Sequence, residues 1–90
     1  MDHEKRKILT AARKAQTHLA KVVEMLERDQ YCIDVLQQAL AVQGLWKATI
    51  RQIFANHMKT CFHNAMQRGK KKDQDRVITE VIRVMELAER

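Results

Sequence analysis

Three residues of this 90-residue chain have the types and the spacing of a metal site: Cys32, His57 and Cys61. Thiolate is a soft donor and imidazole a borderline one, so together they suit a thiophilic ion. All three belong to the stretch Tyr31–Cys61, which has no proline and one glycine, Gly44, and is expected to form a single long helix. At about 100° per residue, the positions 25 and 29 residues beyond Cys32 return to within about 20° of it. The three side chains share one stripe. At ~1.5 Å per residue, however, Cys32 lies roughly 40 Å from the other two along the helix. A straight helix cannot close that triad by itself.

Two copies can. In an antiparallel pair, Cys32 of one protomer faces His57 and Cys61 of its partner, and symmetry repeats the site at the far end. The two-fold axis then crosses near residues 44 to 46, where Gly44 lets two helices approach closely. Spacing alone leaves a second reading open, in which both thiols are small core residues and His57 is a hydrogen-bonded interface histidine. The His57/Cys61 pair, at i and i+4, is frequent enough in helices to be a weak signal alone.

The elements that must hold these residues are all helical. Ala, Leu, Lys, Gln, Glu, Arg and Met abound, and no segment alternates as a strand would. The first helix spans 4–28, with Ile8, Ala12, Ala15, Leu19, Val22 and Leu26 as its apolar seam and Leu9 and Val23 widening it. Arg28-Asp29-Gln30 makes a short connection. The second helix runs from about Tyr31 to about Gln67. One side carries Val35, Ala39, Val42, Trp46, Ile50 and Ile53, broadened by Leu36, Leu40, Leu45 and Phe54, a width that suits two interfaces. Gly69 is a C-cap, Lys70-Lys71-Lys72-Asp73 a charged loop, and a third helix covers roughly 74–89 with Val77, Ile78, Val81, Ile82, Met85 and Ala88 inward. The fold class is all-α: a three-helix protomer with a long central helix, in one domain spanning 1–90.

Ninety residues give a lone protomer a meagre core, which again favours assembly. Seventeen Lys and Arg against 11 Asp and Glu leave a formal charge of +6, multiplied fourfold in a tetramer, so a polyanion is the first partner to consider. No helix combines a basic face with a bulky aromatic one, and no apolar run approaches the ~20 residues of a membrane span. The opening MDHEKRK has no signal-peptide pattern, so a cytoplasmic location is expected, where two cysteines are free thiols or ligands rather than a structural disulfide.

The run MLERDQYCIDVLQQALAV, followed by HMKTC, resembles the CsoR/RcnR family of metal-sensing transcriptional repressors, and most closely its copper-sensing branch. Copper sensors of that family place a Cys after the first loop, a His 25 residues later and a Cys four further on, which Cys32, His57 and Cys61 match. The resemblance implies an antiparallel dimer assembling into a dimer of dimers, with Cu(I) held between protomers by two thiolates and one imidazole. It implies that Tyr31 links the site to the tetramer and that Glu80, on the third helix, hydrogen-bonds the ligand histidine. Nickel and cobalt sensors of the family use a histidine near the N-terminus; His3 is about three residues out of that register and is read as a terminal residue. Sulfur-sensing relatives share the cysteine separation but lack the histidine. His18 and His63 are taken as surface residues.

The family binds DNA through a basic tetramer face rather than a helix-turn-helix, and here Arg13, Lys14, Lys47 and Arg51 are the candidates. The family pattern Arg-x-x-x-Gly-Gln keeps Arg13 but has Thr17 and His18 in place of Gly-Gln, and Gln43 stands where an Arg is expected. The expectation is a cytosolic Cu(I)-responsive repressor, a homodimer or homotetramer, released from operator DNA on metal binding. The alternative is a Cu(I) buffer or transfer protein of the same fold that no longer binds DNA; a Ni(II) or Co(II) sensor ranks lower. No general base or substrate pocket argues for an enzyme.

Overall fold

The computed structural model describes residues 2–90. Among these the chain runs through α1 (His3–Glu27), α2 (Cys32–His57), a π-helical turn (Met58–Phe62), α3 (His63–Arg68) and α4 (Lys71–Ala88). The segment from α2 through the π turn to α3 is helical without a break and is the long central helix that the sequence leads one to expect. The chain divides into two compact units, Met1–Phe54 and Ala55–Arg90, each described here by itself.

The first unit is a hairpin of α1 and the greater part of α2. Asp2 starts α1 by accepting a hydrogen bond from the Lys5 backbone N–H at 2.9 Å, and that bond holds its carboxyl below the ordinary value. The C-terminus closes in a Schellman motif: the N–H groups of Asp29 and Gln30 donate to the Leu26 and Met25 carbonyls, each at 3.1 Å. Asp29 takes the left-handed position at φ 53°, which is usually a glycine's. The Tyr31 carbonyl then accepts from the Val35 N–H at 3.1 Å and opens α2. Arg28-Asp29-Gln30 is the short connection that the broken apolar pattern implies.

Val22 and Met25 of α1 pack against Val35, Ala39 and Val42 of α2. The seam of α1 is therefore rotated from the one drawn on the sequence. Ala15, Val22 and Met25 are buried and His18 is half-buried, whereas Leu19 and Leu26 are exposed. Spacings of three and four fit both stripes; what decides between them is which side α2 covers, and small Ala15 permits the closer approach. His18 is thus not the plain surface residue expected.

The second unit turns at Gly69. This C-cap has φ −77° and ψ 158°, extended backbone open to any residue, so conformational freedom is not what requires glycine there. Space is. A Cβ would collide with the Ala65 carbonyl oxygen, which accepts the Gly69 N–H at 2.9 Å. Gln74 Nε2 ties the corner by donating to the Met66 carbonyl at 3.0 Å. The segment Lys70-Lys71-Lys72-Asp73 is not the charged loop expected: α4 begins at Lys71, three residues earlier than the sequence reading. Asp73 explains it, because its carboxylate accepts the Lys70 backbone N–H at 3.4 Å and places negative charge in the first helical turn. Val77 is the buried anchor of α4, while Ile82, Met85 and Leu87 are exposed.

The left-handed Asp29 gives the first test. Replacing it with glycine, Asp29→Gly, relieves the αL penalty and should raise unfolding stability by about 0.5–1 kcal/mol, read as a higher urea midpoint at unchanged m-value.

Candidate metal centre

Cys32 is the first residue of α2 and His57 the last, and Cys61 follows within the π turn. A rise of ~1.5 Å per residue separates the two ends of such a helix by roughly 38 Å. Among the described residues, no group of three His, Cys, Asp or Glu side chains is gathered to hold a metal ion. Both cysteines are free and exposed, and His57 is half-buried. Two unoxidised thiols and an imidazole are the donor set that a soft, low-coordinate ion takes, so the residues fit the chemistry while one protomer holds only parts of it.

The π turn corrects one sequence expectation. A uniform 100° per residue does not extend through Met58–Phe62, so the rotation of Cys61 from His57 differs from that of an α-helical i, i+4 pair. Nothing in residue type marks such a turn in advance. Its neighbour Thr60, which the sequence reading passed over, donates its hydroxyl to the Asn56 carbonyl at 2.8 Å and has Oγ1 at 3.8 Å from Cys61 Sγ.

Along α2, Leu36, Leu40, Gln43, Lys47, Ile50 and Phe54 continue from Cys32 at spacings of three and four. Leu36, Leu40 and Ile50 are 54%, 57% and 48% exposed, a costly arrangement for large aliphatic groups unless something covers them. Gly44 has open space around it. The adjoining stripe of α2 ends in Thr49, which is fully buried and donates to the Leu45 carbonyl at 2.9 Å.

Glu80, implied as a partner of the ligand histidine, instead meets Arg76 within α4 at 3.1 Å, both side chains exposed. Tyr31 is exposed beside Cys32 and contributes its carbonyl to the start of α2. Arg13, Lys14, Lys47 and Arg51 are all exposed. Arg13 and Gln43 line one mostly apolar groove of about 650 Å³ between α1 and α2, together with Leu9, Leu19 and Trp46. The Thr17 hydroxyl donates to the Arg13 carbonyl at 3.0 Å and so is already engaged with its own helix.

Residues 4–86 match the family model described as metal-sensitive transcriptional repressor, and the chain belongs to that family. That family is one of transcriptional repressors, not a class of enzyme. The chain is 39% identical over 74 residues to the copper-sensing transcriptional repressor CsoR of Mycobacterium ulcerans, covering 78% of this chain and 63% of that protein. To the CsoR of Bacillus subtilis strain 168 it is 28% identical over 81 residues, covering 90% and 77%. This chain thus spans less than two thirds of the mycobacterial relative. The crystal structure of the copper-sensing repressor CsoR with Cu(I) from Geobacillus thermodenitrificans NG80-2 shares the fold, with a TM-score of 0.89 at 22% identity over 100% of this chain and 91% of that one. Among the described residues, no helix is long and apolar enough to cross a membrane.

The Arg76–Glu80 pair is open to solvent on both sides, so Glu80→Gln should change thermal stability by less than about 1 kcal/mol. A larger loss in a melting curve would mean that Glu80 makes a buried contact in the assembled protein.

Proposed function

We propose that this chain is a cytoplasmic Cu(I)-responsive transcriptional repressor, acting as one functional domain in an antiparallel dimer that pairs into a tetramer. In this reading Cys32 of one protomer, with His57 and Cys61 of its partner, holds the ion. The observation that carries the proposal is the symmetry of the exposed stripe on α2. Cys32 and His57 lie almost equally far either side of residue 45, and so do Leu36 and Phe54, Leu40 and Ile50, and Gln43 and Lys47. An antiparallel helix pair with its two-fold axis there would set each against its mate, cover the aliphatic groups and bring the thiol to the imidazole in one register. Each large aliphatic side chain so covered contributes about 1.5–3 kcal/mol to association.

Bound Cu(I) would supply a covalent-strength tie between the start of one α2 and the end of the other. The exposed Arg13, Lys14, Lys47 and Arg51 supply the cationic surface for operator DNA, through phosphate contacts that weaken as salt rises. Tyr31, next to Cys32, and Glu80, once freed from its solvent-exposed pair with Arg76, are the residues that would relay occupancy to helix packing. Because the two equilibria share one protein, DNA must weaken Cu(I) binding by the same factor that Cu(I) weakens DNA binding.

Three experiments test this reading. Leu40→Asp leaves all three donors in place and a folded protomer, yet it should weaken dimerisation a hundredfold or more, since a charge in the covered stripe costs at least ~3 kcal/mol. Tight Cu(I) binding should vanish with it. Mixing Cys32→Ala with the His57→Ala/Cys61→Ala double variant should restore Cu(I) sites that neither has alone; no restoration would defeat the intersubunit site. In mobility-shift assays with its own upstream DNA, the wild type should bind in a salt-dependent way and release on adding Cu(I). Stoichiometric Cu(I) binding without DNA affinity would leave instead a copper buffer, the reading that Thr17, His18 and Gln43 motivate.

A further inference from the structure

We infer that Thr60 is a positioning residue for Cys61, its hydroxyl fixing how that sulfur is presented to a soft metal ion. The inference rests on Cys61 being a ligand, as proposed above. Cys61 is exposed and lies in the π turn, so neighbouring helices do little to fix its side chain. Thr60 compensates from the adjoining position. The 2.8 Å bond to the Asn56 carbonyl pins its hydroxyl to the backbone of the preceding turn. The same Oγ1 then stands 3.8 Å from Sγ.

Thr17, Thr49 and Thr79 make the equivalent bond to the carbonyl four residues back, at 3.0, 2.9 and 2.9 Å, and their helices stay regular. The bond alone therefore does not open the turn. What distinguishes Thr60 is the sulfur beside it. The hydroxyl has one proton, and both the Asn56 carbonyl at 2.8 Å and the Cys61 sulfur at 3.8 Å stand where they can accept it. A metal-bound thiolate is a stronger acceptor than a thiol, so the same contact strengthens when the metal is held while the Asn56 carbonyl stays beside the hydroxyl. In both states Sγ has a fixed polar neighbour, so its rotamer is restricted before the partner's Cys32 arrives.

The test compares Thr60→Val, which keeps the shape without the hydroxyl, with Thr60→Ser, which keeps the hydroxyl without the methyl. Thr60→Val should weaken Cu(I) about tenfold in competition with a chromophoric chelator and change the copper X-ray absorption spectrum towards fewer donors. Helix content and melting temperature should stay at wild-type values, and Thr60→Ser should bind like wild type. Wild-type affinity and spectrum in Thr60→Val would overturn the inference; equal impairment of Thr60→Ser would also do so, because the hydroxyl alone would then not be what positions the sulfur. Cys61→Ala in the same titration separates the two layers: undiminished binding there sinks the metal reading itself, whereas lost binding beside a normal Thr60→Val sinks only the role of Thr60.

Discussion

A 26-residue α-helix cannot bend back to join its own ends, and Cys32 and His57 are the first and last residues of one. Backbone hydrogen bonds along the helix keep those ends tens of ångströms apart. Every other feature of the proposed assembly follows from that stiffness. A metal ion needs its ligands within a few ångströms of one another, so in the proposed site the third donor arrives on another chain. A two-fold axis is the economical way to supply it, because one contact surface then completes two sites.

The hairpin of α1 and α2 is arranged to leave that surface free. Its inner stripe is built from small or medium groups, Ala15, Val22, Met25, Val35, Ala39 and Val42, which let the helices approach closely and bury little. The larger Leu36, Leu40 and Ile50 are turned outward. A protomer that meant to be stable alone would do the reverse. The same economy holds in the second unit, where Val77 is the buried apolar residue of α4 and most of its larger aliphatics are exposed. In the proposed assembly stability and site formation are one problem, since covering the stripe would both stabilise the fold and bring the ligands together.

Local devices refine this arrangement. The π turn changes the rotation of Cys61 relative to His57, and Thr60 braces it. Gly69 lets the chain pass close to the Ala65 carbonyl at the corner, and Gln74 secures that corner by a side-chain bond to Met66. These are short-range effects, each involving a few residues. They tune a site whose existence depends on the long-range symmetry of α2.

The three helices and the Arg28–Gln30 connection were legible in the sequence, because helical periodicity and breaker residues act locally. Family membership was legible too, since the Tyr-Cys-Ile-Asp-Val-Leu run and the Cys/His/Cys intervals are specific. The buried side of α1 was not: Leu19 and Met25 fit rival stripes equally well, and only the position of α2 selects Met25. Nor could composition show that Lys70–Asp73 enters α4, since that depends on where the Asp73 carboxylate reaches, or that the helix widens at Met58, since a π turn has no residue signature of its own. Residue order determined which side chains repeat along each helix; the packing of helix on helix decided which of those repeats is inside, because burial depends on neighbours that periodicity alone does not specify.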